Sequence, residues 1–454
     1  MNRIFKRTKW LYVLAALFLV TLIVLFVTMD LNANKWVVKD YNKHLYSNGQ
    51  LIGVGTITDR NGNILADTQD GRRVYNASPA VRKATLHVVG DAEGFISTGA
   101  QTAFKSQLTG YNLWNGLYYV HRDTSYNMTL TIDTDLSVAA YNAMGSHQGC
   151  VGVYNYKTGE LLSVVSCPTF DVANKPNIDT SEAKWNGVYM NRFFSGSFTP
   201  GSTFKVITSA CALENISNVL DQTFYCPGYY QTSSGSRVKC NGTHGHITFT
   251  EGLNQSCNTQ FAEIAATQLS NQEMNQTAKE FGFNQSVDVN GIKCKASTFD
   301  LSNAYTIDRA WAGIGQYTTM VNPCHEITIM GAIANRNGST PKPTLIKKAI
   351  NLGSYSYCDA KTASTLDDLL RSDVINYYTD SRFPNLEMAG KTGTAQVSNG
   401  RPHTWFVGYS QRKDLPLAIV VVLERSGGFG LTDAIPVANT VMQKALQLHE
   451  NGSF

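Results

Sequence analysis

Residues 10 to 29, WLYVLAALFLVTLIVLFVTM, run for twenty positions without a charged side chain. At about 1.5 Å per residue this is about 30 Å of helix, the thickness of a bilayer's hydrocarbon core. In lipid a single segment can satisfy its backbone only as a helix, so the stretch reads as a transmembrane anchor. Arg3, Lys6, Arg7 and Lys9 precede it. The cytoplasmic bias of such cations keeps residues 1–9 inside as a short tail and places residues 30–454 outside. The competing reading, a cleaved signal peptide, fits less well because the apolar run exceeds the usual signal core and no small-x-small site follows it cleanly. No second stretch of this length follows, since LAIVVVL at 417–423 is strand-sized.

A chain of 454 residues is long enough for two or three units around a large core. Its net charge of +4 is small and spread along the sequence, which gives no case for nucleic acid. Nine cysteines in an exported chain leave at least one unpaired within a monomer. Cys226 and Cys240 flank a Gly-, Tyr- and Ser-rich loop and admit three readings. These are a disulfide closing a hairpin, two buried thiols, or a zinc site with His244 and His246, whose C-x13-C-x3-H-x-H spacing matches none of the compact finger patterns.

Residues 30–130 read as short strands and turns, a small β-rich pedestal. In GTITDRNGNILADT the residues Asp59-Arg60-Asn61-Gly62-Asn63 mark a tight hairpin. The texture changes near residue 130. TLTIDTDLSVAAYNAM is predicted to be a strand running into a helix, and CVGVYNYKTGELLSVVS to be two strands around a Lys-Thr-Gly-Glu turn. Helical patterns dominate from Ser202, and strands return in GKTGTAQV, TWFVGYSQ and PLAIVVVLE before a last helix. Residues 131–454 are thus predicted to fold as one α/β (α+β) unit, an antiparallel sheet with strands from both ends of the domain packed between helices.

Five Ser-x-x-Lys strings occur, beginning at Ser181, Ser202, Ser236, Ser339 and Ser410. Only Ser202 follows a Pro-Gly pair that opens a helical pattern. On a helix i and i+3 share a face, so Lys205 sits within reach of the Ser202 proton. A first-turn position also offers free N–H groups and the positive end of the dipole to a developing oxyanion. Lysine is a poor base at its ordinary pKa of about 10.4. Lowering it to about 7 takes roughly 4.6 kcal/mol, which burial and a second cation can supply.

Candidates for that second cation and its polar partners follow along the chain. Ser256-Cys257-Asn258 is the only Ser-x-Asn downstream of Ser202. Lys391-Thr392-Gly393-Thr394 opens a strand of small residues, along which a peptide can lie by main-chain hydrogen bonds. The other Lys-Thr-Gly, at Lys157, is followed by Glu160 and reads as a solvent-exposed turn.

Ser-x-x-Lys, Ser-x-Asn and Lys-Thr-Gly in this order are the motif set of penicillin-binding proteins and class A β-lactamases. With ITDRNGNILA and TIDTDLSVAAYNAM, the chain resembles a class B penicillin-binding protein, a monofunctional peptidoglycan D,D-transpeptidase. The short pedestal is similar to that of the small A-type members from Gram-positive bacteria. The resemblance implies that Ser202 attacks the D-Ala-D-Ala carbonyl of a stem peptide, with Lys205 as base and Ser256 as proton relay. Asn258 would bind the substrate amide, and Lys391 with Thr392 and Thr394 the terminal carboxylate, while Gly393 leaves room for the peptide. The N–H groups of Ser202 and Thr394 would form the oxyanion hole. It implies β-lactam inhibition, a RodA- or FtsW-like membrane glycosyltransferase as partner, and no metal or cofactor in the reaction.

Alternatives of the same fold are a D,D-carboxypeptidase, or a β-lactam sensor or β-lactamase. The latter would need a deacylating glutamate such as that of Glu280-Phe-Gly-Phe-Asn284, although TAKEFGF reads as a helix ending at Gly282. A mainly structural activator of the glycosyltransferase is a third. In GQYTTMVNPCHEITIMGAIAN, Tyr317 stands where the family carries glycine and Cys324 where an aliphatic residue is usual. Cys257 is expected to be a small buried side chain beneath the site. His403 and Trp405 are expected to pack rather than to line it.

Overall fold

The computed structural model describes residues 2–37, 39, 46–47, 50–51, 54–109, 126–233, 235–347, 351, 353–397 and 400–453. Helix α1, Asn2–Val37, contains the apolar segment Arg7–Ala33, long and apolar enough to cross a membrane. The leucines, valines and phenylalanines of this segment are exposed, which suits a lipid surrounding.

The expected hairpin forms between β1, Ile57–Thr58, and β2, Ile64–Gln69, with β3, Arg72–Tyr75, added beyond. Asp59 explains the tight turn. It is fully buried, and its carboxylate accepts the N–H groups of Asn61 and Asn63 at 2.9 and 2.8 Å and the hydroxyl of Thr134 at 2.8 Å. Helix α2, Pro79–Val89, starts on a Ser78 cap with proline at its first position. β4, Met128–Thr129, then runs parallel to β1 and leads to α3, Thr134–Met144, capped by Asp133. Asp59 therefore couples the hairpin to the start of α3.

The main sheet has five antiparallel strands, beginning with β5, Gly149–Asn155, and β6, Leu161–Cys167. Between these and the closing strands lie α4, Lys205–Asn215, and two nested hairpins. The outer hairpin pairs β7, Thr223–Cys226, with β10, Gly245–Thr248; the inner pairs β8, Tyr229–Gln231, with β9, Arg237–Lys239. Helix α5, Phe249–Asn254, follows with a Thr248/Glu251 capping box, and then α6, Asn258–Glu263. Downstream come α7, Pro323–Ala334, and α8, Ala360–Asp373. The sheet is completed by β11, Met388–Ala395, β12, His403–Ser410, and β13, Leu417–Leu423, before α9, Ile435–Glu450.

The strand order is β11-β12-β13-β5-β6, so the two ends of this unit meet where Leu417–Leu423 pairs with Asn155–Gly149. Every residue of β13 is buried because both faces are covered. Val421 and Ile419 pack with residues of α3 and α9, and Val420 and Val422 with Ile327 and Ile329 of α7. α7 itself is almost wholly buried, its polar His325, Glu326 and Thr328 included. All nine cysteines are free thiols, so the disulfide reading of Cys226 and Cys240 is not met.

Candidate active site

Ser202 sits in a 3-10 turn, Gly201–Phe204, that runs directly into α4. The turn touches the edge strand β11 at two glycines. Gly201 has φ +57, and a Cβ there would come 2.7 Å from the Thr394 carbonyl oxygen; one on Gly393 would come 2.6 Å from that of Pro200. An L side chain fits neither so close an approach nor, at Gly201, that backbone angle. Ser202 is half-buried on the wall of a groove of about 710 Å³, bordered also by Lys239, Asn258, Trp311, Thr394 and Phe429.

Lys205 has no exposed surface. Its Nζ donates to the Ser256 carbonyl at 2.6 Å, the Ser256 Oγ at 3.3 Å and the Asn258 Oδ1 at 2.7 Å. Burial first, and then the charge of Lys391, pushes its pKa down to about 7. A large share of molecules at neutral pH thus holds a free amine one turn from the serine. Ser256 reaches this position with φ +52, a left-handed conformation that is costly for a serine. Asn258 begins α6 and also donates from Nδ2 to the Lys239 carbonyl at 3.0 Å, joining the motif to the inner hairpin.

Lys391 is equally buried but differently partnered. Its Nζ lies 3.1 Å from Asp373 Oδ2 and donates to the Tyr378 hydroxyl at 3.0 Å. Burial opposes its charge, yet Asp373 and Tyr378 outweigh burial and hold its pKa above the ordinary lysine range. The Tyr378 hydroxyl also accepts the Thr392 N–H at 3.0 Å and lies 2.9 Å from Thr392 Oγ1. Lys391 and Thr392 are thus both tied to Tyr378, Lys391 also to Asp373, and Thr392 stands two residues from Thr394 on the same face of β11. Thr394 does border the groove, its Oγ1 accepting the Gly430 N–H at 3.2 Å. Alternate residues of an antiparallel strand direct their N–H groups to the same side. The Thr394 N–H therefore shares the free edge that Tyr378 caps at Thr392, and this edge meets the Ser202 turn.

Asp373 and Tyr378 were not found from the sequence. A signal existed, because Asp373 continues the apolar stripe of Leu366, Leu369 and Leu370 on α8, where an acid is out of place unless paired. Tyr378 ends a π-helical turn, Val374–Tyr378, whose register no 3.6-residue pattern gives.

The remaining candidates fall away from the groove. Glu280 is exposed at the end of the helix Asn271–Glu280, and Gly282 beyond it has φ +80, as a helix stop requires. Lys157 lies in the exposed β5–β6 turn. Trp405 is buried and donates to the Thr199 carbonyl at 3.1 Å, and His403 packs on Phe198. Tyr317, at the glycine position, adopts φ +62. Cys257 and Cys324 are fully buried.

Residues 149–443 match the family description "Penicillin binding protein transpeptidase domain". Stage V sporulation protein D of Bacillus subtilis is 28% identical over 355 residues, which cover 70% of this chain and 53% of that protein. The peptidoglycan D,D-transpeptidase PbpA of Mycolicibacterium smegmatis is 25% identical over 447 residues, 88% of either chain. Two solved structures share the fold. The D,D-transpeptidase domain of a peptidoglycan glycosyltransferase from Eggerthella lenta has a TM-score of 0.74 at 24% identity, over 87% of this chain and 98% of that one. Penicillin-binding protein A from M. tuberculosis, as its penicillin G acyl-enzyme, has 0.72 at 23%, over 87% and 99%. The chain therefore belongs to the penicillin-binding protein transpeptidase family, in its class B branch of D,D-transpeptidases.

Proposed function

We propose that this chain is a membrane-anchored serine D,D-transpeptidase of peptidoglycan. Ser202 attacks the carbonyl between the two terminal D-alanines of a stem peptide, expels D-alanine and keeps the acyl group until an amine of a neighbouring stem peptide displaces it. The observation that carries this reading is the buried Lys205 amine, pushed down to about 7 one helical turn from Ser202 and bonded to Ser256 and Asn258. Lys205 takes the Ser202 proton and Ser256 passes it to the leaving amine. The N–H groups of Ser202 and Thr394 receive the oxyanion. The Thr394 hydroxyl meets the terminal carboxylate, while the fixed charge of Lys391 acts from behind the strand and keeps Lys205 neutral.

A β-lactam imitates the D-Ala-D-Ala end and stops at the acyl-enzyme. The cations before the apolar helix favour residues 1–9 inside and the pedestal and catalytic unit outside. In this reading α1 and the pedestal, residues 30–130, meet a membrane glycosyltransferase of the RodA or FtsW type. The test is intact-mass analysis of the full chain in detergent with benzylpenicillin, followed by a D-Ala-D-Ala peptide and an added amine acceptor. One penicilloyl group on the native chain, none on Ser202→Ala, and an amine-coupled product are expected. Acylation of Ser202→Ala overturns the nucleophile, and hydrolysis alone points to the carboxypeptidase.

A further inference from the structure

Three thiols and one imidazole converge directly behind the Ser256–Asn258 turn. The Sγ atoms of Cys226, Cys240 and Cys257 and one ring nitrogen of His244 all lie within 4.8 Å of one another. They come from four separate places: the end of β7, the residue after β9, the bend before β10, and the cap of α6. Cys226 and Cys257 are buried, and Cys240 and His244 are half-buried. Three cysteines and a histidine, one from each of these places, thus offer four soft or borderline donors to one point.

The spacings exclude a disulfide and leave room for a metal. Cys240 Sγ is 3.8 Å from Cys257 Sγ and 3.6 Å from His244 Nδ1. A disulfide holds its sulfurs at about 2.0 Å. A tetrahedral zinc, with bonds of about 2.3 Å to sulfur and about 2.0 Å to nitrogen, sets its sulfurs about 3.8 Å apart and a sulfur about 3.5 Å from the nitrogen. These two spacings match the zinc geometry, and the whole donor set, within 4.8 Å, is close enough to draw onto one ion. Backbone N–H groups also point at the sulfurs, from Asn258 to Cys240 Sγ at 3.2 Å and from Gln260 to Cys257 Sγ at 3.4 Å. Such donors stabilise thiolates, the form in which cysteine binds metal.

We propose that Cys226, Cys240, His244 and Cys257 form a structural zinc site of the Cys3His type, which holds the nested hairpins against the Ser256–Asn258 turn. Binding converts three thiols to thiolates and releases their three protons, while the imidazole binds in its neutral form. The donor set differs from that expected from sequence. His246 is exposed and rests against the Tyr225 ring at 4.9 Å between centroids, and Cys257 supplies the fourth donor. The signal was obscured because the fourth ligand lies within the Ser-x-Asn motif, outside any compact spacing.

The position gives the metal a consequence for the site. Cys257 stands between Ser256, whose φ is +52, and Asn258, and both neighbours accept hydrogen bonds from Lys205. A metal bond at Cys257 pins that strained turn without touching substrate. The four ligands are positioning residues, and zinc takes no part in the acyl transfer.

The test is metal analysis of the full chain, purified under reducing conditions from zinc-supplemented medium without chelator. About one zinc per chain is expected, and cobalt exchanged into the site should show thiolate-to-cobalt charge-transfer absorption. His244→Ala and Cys240→Ser, both at half-buried positions, should lower zinc affinity by more than the roughly 10- to 100-fold that a lost outer-shell partner costs. Unchanged circular dichroism of His244→Ala shows that the loss is not unfolding. A native, reduced chain that binds no zinc overturns the proposal, as do variants that keep full zinc or a Cys240–Cys257 disulfide in the protein as isolated. None of these readings uses acylation, so a failure of penicillin labelling leaves the proposal standing.

Discussion

Lys205 and Lys391 belong to the same site and neither has exposed surface, yet the first is driven down to about 7 and the second is held above the lysine range. Burial opposes the charge of both. What separates them is the partner: Lys205 faces a carbonyl, a hydroxyl and an amide oxygen, whereas Lys391 faces Asp373, whose carboxyl is pushed up to about 7 by burial, against the pull of Lys391. The pair is asymmetric in consequence, one a base ready at neutral pH and the other a fixed charge that helps to keep it so. A buried lysine is thus not a function in itself, because the nearest anion decides which of the two it becomes.

The largest test of this contrast removes the base. Lys205→Ala is expected to slow acylation by fluorescent penicillin by about 10²- to 10⁴-fold, the range of a general base. A rate within a factor of about three of the native chain would leave Lys205 without the role that its environment indicates. Next in size, Asp373→Asn strips the counter-ion from Lys391 while keeping its shape. Leaving one partner of a buried pair alone costs about 3 to 5 kcal/mol, so the denaturation midpoint should fall markedly. An unchanged midpoint would mean that the pair holds nothing together. The smallest effect lies at Tyr317, next to the groove residue Gln316. There φ +62 suits glycine, and Tyr317→Gly should raise stability by about 1 kcal/mol. A loss of stability would show that the exposed tyrosine ring makes contacts worth more than the backbone strain.

The two Lys-Thr-Gly strings show how much the sequence could reveal. They are identical in letters, but Lys157 precedes a glutamate in a turn and Lys391 opens a strand of small residues, and the structure places one on the surface and the other in the core. Ser202 and Lys205 were legible because helical spacing fixes i and i+3. The antiparallel sheet was legible because β5, β6 and β13 carry strand-length apolar runs. Asp373 and Tyr378 were not, since their approach to Lys391 depends on a π-helical turn. Nor was the tie of Thr392 to the Tyr378 hydroxyl, which depends on what packs beside β11. The fourth donor of the cysteine cluster was hidden for a similar reason, because Cys257 joins residues 226–244 only through the fold.

The most direct test of the contrast is the pH dependence of acylation by penicillin, in the native chain and in Lys391→Gln. In the native chain the rate should climb about tenfold per pH unit below about 7 and level off above it, as Lys205 loses its proton. Lys391→Gln removes the cation that helps to lower Lys205, so its midpoint should move to higher pH. A native midpoint near the ordinary lysine value, or one that stays in place when Lys391 is removed, would contradict the account.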